Sequence, residues 1–512
     1  MFVISTSSFS QPIFQKLYGA GGTNNFVLGS ITNLYENRLL ISGNLKSDIL
    51  IFTVDSLGQQ IINLTFGDSL YNEVPISSKL TIEGDLLLVG YRDQTGIASQ
   101  DILISKFDTS GSIAWTIILG DTLGDSGSDF TQLSDSSFLV LGGTNKFSFN
   151  YDRSQSFLSK IDKDGTLIWT KLYGINCDSC QTVLTKMLSL SDSTFLLYGS
   201  TSQFSNAFEK KKLIIKIDIN GNIVWSKLYL DNCENSQINK IIKNQNNNLV
   251  LIGSTCNIDT DIFMMEMDSM GIPLWGKYYY GALGSSDNAY DILEIENGNY
   301  LICGNASLTK TDSLGNLIWS SSYLLSPFSN FTKQLFFNNN RYLAGGTVLL
   351  NGVNNIYLYN TDTSGVACLF NNFSYSSSQL VITDSLVNMS AFQMNFPFQS
   401  NENYQIIPTF IPDSVFCQSS VGLNQDNVFK ESFDLYPNPC FEKINLTFKH
   451  GIKLLTTDDI RLTDLLGRVM NPYIYINDQS SIQLDISNLK PGIYLIEFQY
   501  GGVTNVKKFI KI

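Results

Sequence analysis

The sequence predicts an all-β protein, and three observations carry that prediction. Aromatic residues make up 12% of the 512-residue chain. With Gly, Asn, Ser and Thr abundant beside them, this composition favours strands and tight turns over helices. A spaced pattern, Asp-x-x-Gly with Trp four residues beyond the Gly, returns along most of the chain. Between its copies apolar and polar residues alternate with period two, as in strands with one buried face.

The copies begin at Asp55 (DSLGQQIINLTFG), Asp108 (DTSGSIAWTIILG), Asp162 (DKDGTLIWTKLYG), Asp218 (DINGNIVWSKLYL), Asp268 (DSMGIPLWGKYYY) and Asp312 (DSLGNLIWSSSYL). A broken one, DTSGVACLF, begins at Asp362, and the intervals run from 44 to 56 residues. That length holds one four-stranded sheet and is too long for the shorter solenoid repeats. Each interval divides alike. In residues 127–173 an alternating strand is followed by a DSS turn, then the apolar strand FLVLGGT, then SFLSKID, a KDG turn and TLIWTKLY. The apolar strand recurs as LLISG, LLLVG, FLVLG, FLLYG, LVLIG, YLICG and YLAGG, seven times in all. Seven sheets of four antiparallel strands read as a seven-bladed β-propeller over residues 11–365.

Asp-x-x-Gly is hairpin-turn chemistry: Asp bonds its own backbone and Gly takes the positive-φ position. Trp115, Trp169, Trp225, Trp275 and Trp319 then lie on the strand leaving the turn, where a large ring packs between neighbouring blades. Phe14 and Ile62 hold the same position in two copies. Packing tolerates such exchange among apolar residues and catalysis does not, so the motif is structural. Residues 11–19, QPIFQKLYG, are a Trp-type strand with no hairpin partner, while the copy at Asp362 loses its Trp-type strand at Cys368. The N-terminal strand is therefore expected to complete the seventh blade and close the ring. The spacing resembles the tryptophan-docking repeats of quinoprotein-like and other secreted bacterial propellers, which implies a fold and not an activity.

Beyond residue 365 the period is lost. Residues 366–418 read as a small β appendage between Cys368 and Cys417, with 419–432 as a linker. A fresh module of alternating strands with Gly and Pro turns fills 433–512 and predicts a compact β-sandwich. It contains Tyr436-Pro437-Asn438-Pro439, then Asp464-Leu465-Leu466-Gly467-Arg468, then Leu489, Gly492 and Tyr494, and ends with Lys507, Lys508 and Lys511. Four motifs in this order resemble the type A C-terminal sorting domain of the type IX secretion system of Bacteroidota. The resemblance implies passage across the outer membrane, followed by release or surface attachment, with the secretion machinery as a partner. Residues 1–10 (MFVISTSSFS) look like the tail of a secretory signal peptide, lacking the basic region and most of the apolar core.

A net charge of −13 argues against nucleic acid, which needs a basic face, and no apolar run approaches the length of a membrane span. In an exported protein the eight cysteines can pair. Cys233 and Cys256 fall in connections on one face of a blade, and Cys177-x-x-Cys180 occupies the equivalent connection one blade earlier; Cys303 reads as a buried thiol. The single His450 excludes a Ser-His-Asp or Cys-His constellation in the propeller. Arg38, Arg92, Arg153 and Arg341 are too few for a sialidase-type arginine triad; of these, Arg92 and Arg153 fall in equivalent loops of adjacent blades. In the loop GDTLGDSGSD, Asp121, Asp125 and Asp129 are close enough in sequence to bind Ca²⁺ through oxygens, although EF-hand spacing is absent and an acidic turn is the plainer reading. No cofactor is required. The expected function is a secreted or surface-displayed binding or scaffold module for an extracellular glycan or protein. A hydrolase or lyase using carboxylates on the propeller face is the competing class.

Overall fold

The computed structural model describes residues 14–512, apart from 20–25, 35–37, 69, 95–99, 109–110, 121–122, 146–154, 175–180, 203–209, 231–235, 256–260, 281–286, 306, 323–329, 339–340, 351, 368–370, 374–375, 381–382, 387–388, 395–397, 402–403, 409–410, 412, 419–432, 449–459, 479–480 and 501–502. The protein is all-β. One 3₁₀ turn, Glu296–Gly298, is the sole helical element among the described residues, and no helix there is long and apolar enough to cross a membrane.

Seven five-stranded antiparallel sheets account for the repeats. Sheet 1 takes its first four strands from Phe26–Asn33, Leu39–Leu45, Asp48–Val54 and Gln60–Gly67. Sheets 2 to 6 repeat that order, starting at Tyr71, Asp125, Gln181, Gln237 and Ala289. Sheet 7 combines Asn330–Asn338, Arg341–Leu350 and Val353–Thr361 with the N-terminal Phe14–Tyr18, which pairs with Val353–Thr361 through Gln15–Tyr359 to Tyr18–Ile356. The first strand of each sheet lies against the first strand of the next, and Asn330–Asn338 lies against Phe26–Asn33. Apolar residues from neighbouring sheets interdigitate between them. Leu87, Val89, Ile102 and Ile104 of sheet 2, for example, share a cluster with Phe130, Phe138, Val140 and Phe157 of sheet 3.

The repeated turn forms as its chemistry requires. In the third copy Asp162 Oδ1 accepts the amides of Asp164 (3.0 Å) and Thr166 (2.7 Å), and Gly165 sits at φ +91°. In every sheet but the second, the turn glycine then packs on the outer strand of the preceding sheet. A β-carbon on Gly221 would meet the Trp169 ring and the Tyr173 hydroxyl at 2.9 Å, and that hydroxyl donates to the Gly221 carbonyl at 2.6 Å. Gly271 packs likewise on Trp225 and Tyr229, Gly315 on Trp275 and Tyr279, and Gly58 on Phe14 and Tyr18. Trp115 lies against Gly165 and Trp319 against Gly365.

The expected appendage at 366–418 does not form. Its strands run back around the molecule and give one strand to the outer edge of each sheet. Asn371–Phe373 joins sheet 6, Ser376–Gln379 sheet 5, Thr383–Leu386 sheet 4 and Ser390–Met394 sheet 3. Phe398–Asn401 joins sheet 2, Gln405–Pro408 sheet 1 and Asp413–Gln418 sheet 7. The physical reason is the edge: every outer strand has a row of unpaired amides and carbonyls, and this belt satisfies part of each row. A strand of three to six residues is too short to hold a separate core.

Residues 433–512 form two four-stranded sheets, ordered Phe433–Tyr436, Lys443–Phe448, Ser481–Asp485, Tyr473–Asp478 and Val469–Met470, Ile460–Asp464, Gly492–Tyr500, Val503–Lys511. Ile444, Leu446 and Leu484 of one sheet meet Leu462, Ile496 and Phe498 of the other in a shared core, the expected sandwich. Residues 1–10, the linker 419–432, Arg153, Cys177, Cys180, Cys233, Cys256 and Cys368 lie outside the described residues. Cys417 falls on the belt strand opposite Gln15, and Cys303 is a buried thiol, its acidity suppressed by burial. Arg92 lies within the strand Leu86–Gln94 and not in a loop; its guanidinium sits 4.2 Å from the Tyr71 ring centre and 3.8 Å from Asp101.

Candidate functional site

The first strands of the sheets line a central cavity of about 680 Å³. Every one of these strands carries a β-bulge at the same place, with register breaks at Leu28/Ser30, Pro75/Ser77, Gly127/Asp129, Leu184/Lys186, Ile238/Lys240, Ala289/Asp291 and Thr332/Gln334. A bulge bends the strand and re-aims the side chain that follows it. Here it places Ser30, Ser77, Asp129, Lys186, Lys240 and Asp291 on the cavity wall, one from each of six consecutive sheets.

Both carboxylates on the wall are paired with lysines. Lys79 Nζ lies 2.6 Å from Asp129 Oδ1, and Ser77 Oγ donates to the same oxygen at 3.2 Å. Asp129 Oδ2 accepts the Met187 amide at 3.1 Å. Burial would raise the Asp129 carboxyl, but the charges of Lys79 and Lys186 and these hydrogen bonds outweigh it and hold the group well below the carboxylate range. Lys240 Nζ lies 3.1 Å from Asp291 Oδ1, and that negative charge raises the ammonium against the effect of burial. Lys186 is lowered, chiefly by burial, with Asp129 only partly restoring it. Among the described residues no hydrogen bond or ion pair engages the Lys186 ammonium. Among the described residues the wall thus carries four ammonium groups, those of Lys79, Lys186, Lys210 and Lys240, against two carboxylates, each carboxylate with a lysine of its own.

The carboxyl lifted furthest toward neutrality lies elsewhere. Glu73 is buried at the start of the strand Tyr71–Leu80, where burial above all raises its carboxyl to about 7. It does not line the cavity.

Of the three aspartates of the acidic loop, Asp125 and Asp129 belong to the strand Asp125–Gln132, and Asp121 lies outside the described residues. Asp129 faces two ammonium groups, the opposite of a cation seat, and no cluster of three or more metal-ligating side chains occurs among the described residues. Lys79, Lys186, Lys240 and Asp291 escape a search for sequence motifs. A signal for them exists in the aligned repeats: the residue before an apolar one in DF, KM, KI and DI, at 129–130, 186–187, 240–241 and 291–292, is charged in one column.

At the other end of the chain the four motifs of residues 433–512 come together on the sandwich. Residues 434–512 match the secretion system C-terminal sorting domain family. The C-terminal module is a type IX sorting domain. This sorting domain directs export to the cell surface or beyond it and engages the secretion machinery. Tyr436, Pro437, Asn438 and Pro439 are exposed, and Asn438 ties them to the last strand by donating to the Lys508 carbonyl (3.2 Å) and accepting the Ile510 amide (2.9 Å). Lys507 pairs with Asp434 at 3.1 Å, and Lys508 is exposed. Tyr494 donates to the Lys490 carbonyl at 2.9 Å, Gly492 opens the strand opposite Lys511, and Gly467 takes φ +85° in its turn.

No curated relative matches the chain. Among solved structures, a protein of unknown function from Dyadobacter fermentans is 8% identical with a TM-score of 0.40, covering 68% of this chain and 98% of its own. One from Bacteroides caccae is 11% identical at TM-score 0.30 and covers 60% and 93%. A dihydro-heme d1 dehydrogenase is 10% identical at TM-score 0.35 and covers 74% and 75%. Overlap this loose says nothing about activity.

Proposed function

We propose that this chain is an exported binding module whose seven sheets close into a seven-bladed β-propeller, and that its central channel takes an acidic extracellular polysaccharide. Closure is supported by the pairing of Phe14–Tyr18 into sheet 7 and by the contact of Asn330–Asn338 with Phe26–Asn33. The binding reading rests on one observation: in a chain of net charge −13, the channel wall holds more ammonium groups than carboxylates. Lys186 and the more exposed Lys210 are the wall cations outside the two pairs; Lys186 is the better placed for a ligand carboxylate or sulfate, since its desolvated setting strengthens such a pairing. Hydrolysis has no comparable support: the two carboxylates on the wall, Asp129 and Asp291, are each paired with a lysine, and the charges of Lys79 and Lys186 keep Asp129 from serving as the general acid.

The test is retention of the full chain on immobilised polygalacturonate against a neutral polysaccharide, with Ca²⁺ present or absent. Retention on the acidic polymer alone is expected, with Lys186→Gln weakening it roughly threefold to tenfold and added salt weakening it further. Equal retention on both polymers, or no effect of Lys186→Gln, contradicts the reading. New reducing ends on the bound polymer would transfer the assignment to the hydrolase class.

A further inference from the structure

The outer strands of the sheets grip the turn of the next sheet with a recurring triplet. Phe14-x-Lys16-x-Tyr18, Trp169-x-Lys171-x-Tyr173, Trp225-x-Lys227-x-Tyr229 and Trp275-x-Lys277-x-Tyr279 place a ring, a lysine and a phenol on one strand face. The phenols of Tyr18, Tyr173, Tyr229 and Tyr279 donate to the carbonyls of Gly58, Gly221, Gly271 and Gly315. Sheet 1 departs from this at all three positions, with Ile62, Leu64 and Phe66. Neither a large ring at the first position nor a hydroxyl at the third is present to hold the turn that contains Gly111.

That space is filled by the sorting domain. A β-carbon on Gly111 would collide with Leu465, where the equivalent glycines meet a ring of the preceding sheet. Leu465 packs with Ile62, Leu64 and Leu495. Its neighbour Leu466 enters the cluster formed by Leu40, Ile51 and Phe66 of sheet 1 with Leu86, Leu88 and Phe107 of sheet 2. Both leucines are buried, yet neither belongs to the core of the sandwich. They occupy the two middle positions of an Asp-x-x-Gly turn built like those of the sheets: Asp464 Oδ1 accepts the Leu466 and Arg468 amides at 3.0 and 2.9 Å. Polar contacts flank the turn. Arg38 donates to Thr463 Oγ1 at 3.1 Å and pairs with Glu497, and Arg468 donates to the Glu83 carbonyl at 3.1 Å.

We infer that the junction of sheets 1 and 2 is a docking notch for the sorting domain, made by omitting the ring that fills the other junctions. The Asp464–Arg468 turn is its occupant. The notch holds the sorting domain on the propeller by side-chain contact, so that severing the linker at 419–432 does not by itself release it. The face bearing Tyr436–Pro439 and Lys508 stays exposed for the secretion machinery while the Asp464 turn is covered.

A protease site placed within 419–432 of the full chain tests this, with the two pieces followed by gel filtration after cleavage. At roughly 10 µM they are expected to co-elute, because two buried leucines and their flanking bonds give binding in the micromolar range or tighter. Leu465→Asp is expected to weaken the association roughly a hundredfold and to separate the pieces. Ile62→Trp, which restores the ring of the other sheets, should expel the sorting domain without lowering the melting temperature of the propeller piece. Separation of the unaltered pieces at that concentration overturns the inference, as does co-elution undiminished by Ile62→Trp.

Discussion

A single buried carboxyl shows how local surroundings set a property of the whole fold. Glu73 Oε1 accepts the Asp68 amide at 3.1 Å, which favours the ionised form, but burial together with the nearby charges of Asp48 and Asp68 prevails. In the unfolded chain this group loses its proton near 4.5, and in the folded chain near 7. The folded state therefore binds more protons across that window, and stability falls as pH rises through it, the full cost being present above about pH 7. Glu73→Gln is expected to raise unfolding free energy by up to about 2–3 kcal/mol near pH 8, with the gain vanishing below about pH 4. Denaturant midpoints at the two pH values measure it; an equal shift at both would mean that ionisation is not the cause. The channel lysines illustrate the limit of reading residues singly. Lys186 and Asp129 look unremarkable in sequence, and only the bulge before each brings them to one wall.

At the scale of elements, the repeated sheets were legible because each packs on a copy of itself, so the same turn recurs at every junction and a large ring at all but that of sheets 1 and 2. The belt was not. Its strands have three to six residues, and alternation that short reads the same in an appendage as in an edge strand. What decides between them is the row of unpaired backbone groups on seven outer strands, which no single stretch of sequence displays. The belt strand Ser390–Met394 pairs with the strand carrying Trp169, through Leu172–Phe392 and Tyr173–Ala391. Alternate residues donate across an antiparallel pair, so replacing both Ala391 and Phe392 by proline removes whichever amide is used. Hydrogen exchange is then expected to quicken in residues 167–174 and to stay slow in the outer strands of the other sheets. Loss of protection in all seven at once would mean that the belt folds only as a unit.

At the scale of the molecule, the chain joins an address to the cavity proposed as its binding site. The address was legible in full, because Tyr436–Pro439, the Asp464 turn and the basic end lie in fixed order on one compact sandwich. Its seat on sheets 1 and 2 was not, since Ile62 reads as ordinary apolar exchange until Leu465 is seen beside it. Of the described residues of the acidic loop, prominent in sequence, Asp129 alone lines the channel, and that residue is held by lysine. The most direct measurement of the central claim is a crystal structure of the full chain soaked with a short oligogalacturonide. The account predicts the sugar in the central cavity with a carboxylate against Lys186 Nζ and the Lys79–Asp129 and Lys240–Asp291 pairs intact. Sugar bound on the outer rim, or an empty cavity at saturating ligand, would contradict it.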